Sequence, residues 1–153
     1  MTSEYDRFES IMKKWGYDWE AHQVETEDDY ILTTFHILSE TARSQDSESK
    51  GTVLIQHGSY NDAASWLSSF QNDDGKPFQL KLVDEGYDVW LGNNRGTEYS
   101  RGHKTLDALQ DDSYWLFTWA EMGLYDDTAN ISMIKQKASV DKVYYIGYSQ
   151  GTI

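Results

Sequence analysis

Val143-Tyr144-Tyr145-Ile146-Gly147-Tyr148-Ser149-Gln150-Gly151 runs an apolar segment without a gap into a serine that has glycine two positions away on either side. Four consecutive apolar residues rich in β-formers read as a buried strand. A serine hydroxyl lifted on a sharp strand-to-helix bend needs a strained backbone, and close packing around that bend needs neighbours without side chains. Gly147 and Gly151 meet that demand. The segment therefore reads as a parallel strand ending in an elbow that presents Ser149, the G-x-S-x-G pattern of a nucleophilic serine.

Two earlier apolar runs, Val53-Leu54-Ile55 and Val89-Trp90-Leu91, share the character of the first. Short apolar runs separated by helical patterns are how buried parallel strands alternate with crossover helices. Pro77 suits the start of a helix through Leu80, Leu82 and Val83, with Gly86 as its stop. Trp115, Trp119, Met122, Tyr125, Ala129 and Met133 recur every three or four residues, which predicts one face of a long helix capped by Asp111-Asp112-Ser113. Upstream, Tyr5, Phe8, Ile11, Met12 and Trp15 have helical spacing. His22 to Leu38, broken at Glu27-Asp28-Asp29, reads as a hairpin whose second arm puts Ile31, Thr33, Phe35 and Ile37 on one half-buried face. Ser39 to Lys50 has no periodicity and reads as a solvated loop. The predicted class is α/β: an antiparallel hairpin followed by β-α-β-α-β in a mostly parallel sheet, with right-handed crossovers.

Composition narrows the function. Of 153 residues, 26 are acidic and 13 basic, for a net charge of −13. That field repels phosphate backbones and anionic lipid surfaces, so no nucleic-acid partner is expected. Six Trp and eleven Tyr carry more ring area than a disordered chain does. The absence of cysteine excludes disulfides and thiolate chemistry. No apolar window is long enough for a transmembrane segment, and the opening residues lack the apolar run of a secretory signal.

Acyl transfer at Ser149 needs two backbone donors for the developing oxyanion. One is the amide of Gln150, directly after the serine. The other is expected from the loop after the first parallel strand, Gln56-His57-Gly58-Ser59-Tyr60, with the amide of Ser59 as the candidate. His57 is read as a structural ring rather than a base. His22 and His36 are read as strand surface, and His103 as facing solvent. No two histidines have metal-ligand spacing along the chain, so no metal and no cofactor are expected. The Asn93-Asn94-Arg95-Gly96 turn is read as a loop braced by Arg95. Asp111-Asp112 and Asp126-Asp127 are read as helix-end and surface charges.

His57-Gly58, Gly86-Tyr87-Asp88-Val89-Trp90-Leu91-Gly92-Asn93-Asn94-Arg95-Gly96 and Tyr148-Ser149-Gln150-Gly151, in that order, resemble the acid lipase family of α/β-hydrolases, the gastric and lysosomal acid lipases. Trp15-Gly16-Tyr17, Thr26-Glu27-Asp28-Asp29-Tyr30-Ile31-Leu32, Glu121-Met122 and Tyr125-Asp126 extend the likeness. Asp18-Trp19 stand where that family commonly has Cys-Pro, Asp28-Asp29 where it has Asp-Gly, and Tyr148 where it has His. The resemblance implies a serine ester hydrolase of neutral lipids such as triacylglycerols or sterol esters, with Ser149 as nucleophile, Ser59 and Gln150 forming the oxyanion hole, and a lysosomal or extracellular setting. In such enzymes the acid and then the histidine follow the serine along the chain. Only four residues follow Ser149. Residues 1–153 are therefore expected to be a partial α/β-hydrolase domain, with acid, base and lid beyond residue 153. The alternative is a non-catalytic lipid-binding or interaction module on the same scaffold.

Overall fold

The computed structural model describes residues 4–38, 49–69 and 75–152. Helix α1 (Asp6–Trp15) leads into the hairpin β1 (Asp18–Glu25) and β2 (Tyr30–Leu38). Then follow β3 (Thr52–Gln56), α2 (Ala63–Ser69), α3 (Phe78–Asp84), β4 (Asp88–Gly92) and the two-residue β5 (Gly102–His103). After a 3₁₀ turn (Asp112–Trp115) come α4 (Trp119–Glu121), a π-helical stretch (Met122–Asp127), α5 (Thr128–Ala138) and β6 (Tyr144–Gly147). The expected loop from Ser39 lies outside the described residues as far as position 48.

The strands order as β1-β2-β4-β3-β6, with β5 added alongside β2. β1–β2 and β2–β4 are antiparallel, whereas β4–β3 and β3–β6 are parallel. The α/β expectation of a hairpin feeding a mixed sheet holds, with the β-α-β-α-β strands β3, β4 and β6 paired in parallel as read. Val53, Ile55, Val89 and Leu91 pack on one side of the sheet with Phe8 and Met12 of α1 and Leu80 and Val83 of α3. Leu54 and Trp90 pack on the other side with Ile134 of α5. This two-sided cover is why the runs are continuously apolar rather than alternating.

Two expectations need correction. β2 is not half-exposed: Leu32, Thr33, Thr34 and Phe35 are all buried. β2 lies between β1 and β4, with α1 on one face and Tyr114 and Asn130 on the other, Thr34 donating to Asn130 Oδ1 at 2.5 Å. The long helix is also interrupted. Trp115 ends a separate 3₁₀ turn, and the cap is Thr118, whose hydroxyl accepts from the Ala120 amide while Glu121 accepts from the Thr118 amide. The apolar stripe is not the buried face either, since Trp115 and Trp119 are 44% and 61% exposed. The buried face carries Asp126, Asp127, Asn130 and Ile134.

In the hairpin turn, Asp29 takes the left-handed φ of 73°. Its neighbour Asp28 points inward, onto Arg95.

Candidate active site

Ser149 stands two residues past the end of β6 and has φ of 53°, in the left-handed region that L-residues other than glycine seldom adopt. A conformation of this kind costs on the order of 1–3 kcal/mol and persists only where its surroundings impose it. Here they do. The Tyr148 amide donates to the Gln56 carbonyl at 3.2 Å, extending the β3–β6 ladder, and the Gly151 amide donates back to the Tyr148 carbonyl at 2.9 Å. A methyl group on Gly147 would stand 1.8 Å from the Gly151 carbonyl oxygen; one on Gly151 would stand 2.6 Å from the Gln56 oxygen and 2.7 Å from that of His57. Only hydrogen fits at either place. Ser149 itself is exposed at the head of a 3₁₀ turn, Ser149–Thr152.

The loop after β3 reaches this bend. A methyl on Gly58 would lie 3.0 Å from the Ser149 Cβ, so the two backbones touch. The Ser59 hydroxyl donates to Gln150 Oε1, and Gln150 Nε2 lies 2.7 Å from Met122 Sδ. Ser59 and Gln150, the residues expected to supply the two amides, are thus tied to each other across 91 positions of sequence. They border a cleft of about 470 Å³ that also includes Tyr60, Trp115, Phe117 and Met122.

His57 is buried beneath this loop with both ring nitrogens engaged. Nδ1 donates to the Gly58 carbonyl at 2.8 Å, and Nε2 accepts from the Asn94 amide at 3.2 Å. A carbonyl can only accept and an amide can only donate, so the ring is the neutral Nδ1–H tautomer. Burial lowers its pKa in keeping with that. No lone pair is left for Ser149, which agrees with a structural ring. His103 is half-buried rather than solvent-facing, edge-on to Tyr30 at 4.7 Å between ring centres.

Arg95 braces the turn after β4. Its guanidinium grips Asp28 through two hydrogen bonds of 2.6 and 2.7 Å, Nε donates to Asp126 at 2.8 Å, and its own amide donates to the other oxygen of Asp126. The cation lies 3.9 Å from the centre of the Tyr30 ring. Burial opposes the charge, but the two carboxylates outweigh it and raise the Arg95 pKa. Asp28 is lowered in turn: burial raises it, and Arg95 and Thr26 more than offset that.

Asp126 and Asp127 are the residues whose role the sequence reading missed; they are interior, not surface, charges. In an α-helix two adjacent side chains diverge by about 100°. The wider π turn that ends at Asp127 lets both carboxyls face inward, Asp126 to Arg95 and Asp127 to Tyr145. The signal available was an acidic pair set between Tyr125 and Ala129 on the stripe assigned to the core. The Tyr145 hydroxyl lies 2.8 Å from both Asp127 Oδ2 and the Gly151 carbonyl oxygen, so this chain ends on the elbow.

Burial pushes the Asp127 carboxyl up to about 7, with the neighbouring Asp126 adding to the shift and the Tyr145 hydrogen bond opposing it. The folded chain therefore keeps a proton there that the unfolded chain releases near pH 4, and stability falls as pH rises from about 4 through about 7. The effect is on the order of 4 kcal/mol. His57 acts with the opposite sign, removing stability as pH falls below its unfolded value. Denaturant titrations at pH 4.5 and pH 8 should show Asp127→Asn stabilised relative to wild type at the higher pH only. Equal shifts at the two pH values would refute a buried proton at Asp127.

Comparison with known proteins fits this geometry. The family described as alpha/beta hydrolase fold matches residues 51–153, and the partial alpha/beta-hydrolase lipase region matches residues 8–70. The chain belongs to the α/β-hydrolase family. Within it, the chain is 44% identical to mouse lipase member M over 93% of its own length and 33% of that protein's. It is 41% identical to human lysosomal acid lipase/cholesteryl ester hydrolase over 93% and 35%, and 37% identical to rat gastric triacylglycerol lipase over 90% and 34%. The resemblance to gastric and lysosomal acid lipases is borne out. The chain spans about a third of the length of these relatives. An esterase from Pyrococcus furiosus superposes with a TM-score of 0.58 at 17% identity, covering 92% of this chain and 46% of that one, a likeness of fold. Among the described residues of this α/β-hydrolase, no helix is long and apolar enough to cross a membrane.

Proposed function

We propose that this chain carries the nucleophile half of a serine ester hydrolase acting on neutral lipid esters, of the triacylglycerol or sterol-ester lipase type, in lipid catabolism. The observation that carries it is the strained φ of Ser149, held by β6 and by the β3 loop that carries Ser59. In this reading the Ser149 hydroxyl attacks the ester carbonyl, and the amides of Ser59 and Gln150 receive the oxyanion. The relatives, a triacylglycerol lipase and a cholesteryl ester hydrolase among them, support the substrate class. The wide aromatic-rimmed cleft beside the elbow suits an acyl chain.

Residues 1–153 would then form a partial domain, completed by an acid and a histidine from sequence after the elbow. His57 does not replace them, since both its nitrogens are occupied. A fluorophosphonate probe applied to a protein with this chain and that complement should label Ser149 covalently, and Ser149→Ala should abolish the label. This chain alone should label slowly, for want of a base. Absent labelling of the completed protein, with a fatty ester still bound, would replace this reading with the non-catalytic lipid-binding module.

A further inference from the structure

At the far end of the sheet from Ser149, strand register assembles a group of donors that lie far apart in sequence. Glu20 and His22 alternate onto one face of β1. Glu20 stands opposite His36 of β2, and His22 opposite Thr34. One ring nitrogen of each histidine and one Glu20 oxygen all lie within 4.8 Å of one another. The expectation of no metal rested on spacing along single elements, whereas here antiparallel pairing brings position 36 to positions 20 and 22.

The rings are fixed by contacts of their own. His36 stacks on Trp90 with centroids 4.0 Å apart and planes 3° from parallel, and its Nε2 lies 2.6 Å from Asp88 Oδ1. The other Asp88 oxygen accepts from Thr52 and from the Trp90 indole, both at 3.0 Å. Asp88 is thus anchored and orients the imidazole, as carboxylates do behind metal-bound histidines. His22 packs on the same indole at 5.0 Å. Among the described residues its buried Nε2 has no well-formed hydrogen bond, Glu20 Oε2 approaching to 3.2 Å. A buried imidazole nitrogen without a hydrogen-bond partner loses free energy unless something binds it. The group opens onto a cavity of about 750 Å³ also lined by Lys137 and Ser139. Lys137 is the cation facing the group, against the two carboxylates Glu20 and Asp88.

We propose that Glu20, His22 and His36 form a site for a borderline divalent cation, Zn²⁺ above all, that staples β1 to β2. Two imidazoles and one carboxylate are a Zn²⁺ donor set, and a donor set with nitrogen is poor for Mg²⁺ or Ca²⁺. The site lies beside Asp88, the first residue of β4, while Ser149 lies just beyond the opposite end of the parallel β6. The ion is therefore structural and does not touch the ester chemistry, so its test stands apart from the proposed hydrolase activity.

The test is a titration of metal-free protein with Zn²⁺ at pH 7.5 against a chromophoric chelator, followed by thermal melts with and without the ion. One equivalent should bind and raise the melting temperature. His22→Gln should weaken binding at least tenfold, while His103→Gln leaves it unchanged. Should His22→Gln fail to fold, Glu20→Gln, at an exposed position, should show a weaker loss in the same direction. Co²⁺ in place of Zn²⁺ should give the visible absorption of a nitrogen- and oxygen-ligated site. Absence of stoichiometric binding, or binding equally strong in His22→Gln and Glu20→Gln, overturns the proposal, as does loss of binding in His103→Gln.

Discussion

Arg95→Ala should lower the folding free energy by about 3–5 kcal/mol, the cost of removing one partner from a buried ion pair. The guanidinium is fully buried, and so is Asp126. Their removal from water is offset by mutual attraction, by hydrogen bonds to both carboxylates and by the Tyr30 ring under the cation. Alanine leaves Asp126 buried with one backbone amide as its hydrogen-bond donor, and takes the cation away from the rings of Tyr30 and Phe117. Arg95→Lys should recover little, because a single ammonium cannot form the two-pronged bond to Asp28 and the lateral one to Asp126 together. Urea titrations of the three proteins measure this directly. A loss below about 1 kcal/mol in Arg95→Ala, the range of exposed pairs, would show the network to be solvated after all. Because Arg95 joins the hairpin turn, the turn after β4 and the π-helical stretch, the loss should appear as one cooperative transition at lower denaturant.

Gly147→Ala should disrupt the elbow outright. Its new methyl would start 1.8 Å from the Gly151 carbonyl oxygen, a backbone atom that cannot swing aside. Relief requires the Ser149–Thr152 turn to move away from β6, breaking the Tyr145–Gly151 hydrogen bond and the Gly151–Tyr148 bond with it. Overpacking of this kind costs about 1–3 kcal/mol in ordinary cores and more where backbone meets backbone. The larger effect should fall on Ser149: a displacement of about 1 Å at a reacting group costs about a hundredfold in rate. Fluorophosphonate labelling of Gly147→Ala should therefore slow by that factor or more, in protein that still folds by circular dichroism. Labelling at the wild-type rate would mean that the bend does not position the hydroxyl.

Much of this was legible in the chain because the information is local. The apolar runs at 53–55 and 89–91 mark strands buried on both faces, the run at 143–146 marks the edge strand β6, which is only partly buried with Tyr144 exposed, and the two glycines around Ser149 record a steric limit that no other residue meets. Pro77 and Gly86 bracket α3 as read, with Pro77 at the cap. The stripe from Trp115 to Met133 misled because its period is right for a helix while its hydrophobicity is spent partly on exposed surface, at Trp115 and Trp119.

Side-chain period and backbone sterics within a few residues were enough to place the hairpin, the mixed α/β sheet and the bend at Ser149, but left α2, β5 and the breaks in the long helix unread. Only the tertiary structure decided which charges are interior. Asp28, Arg95 and Asp126 look like surface residues one at a time, and a charge becomes stable inside only when partners from distant segments converge on it. The same holds for Asp127 under the elbow and for His22, His36 and Glu20 across two strands, since register and a π turn, not spacing along the chain, set those distances.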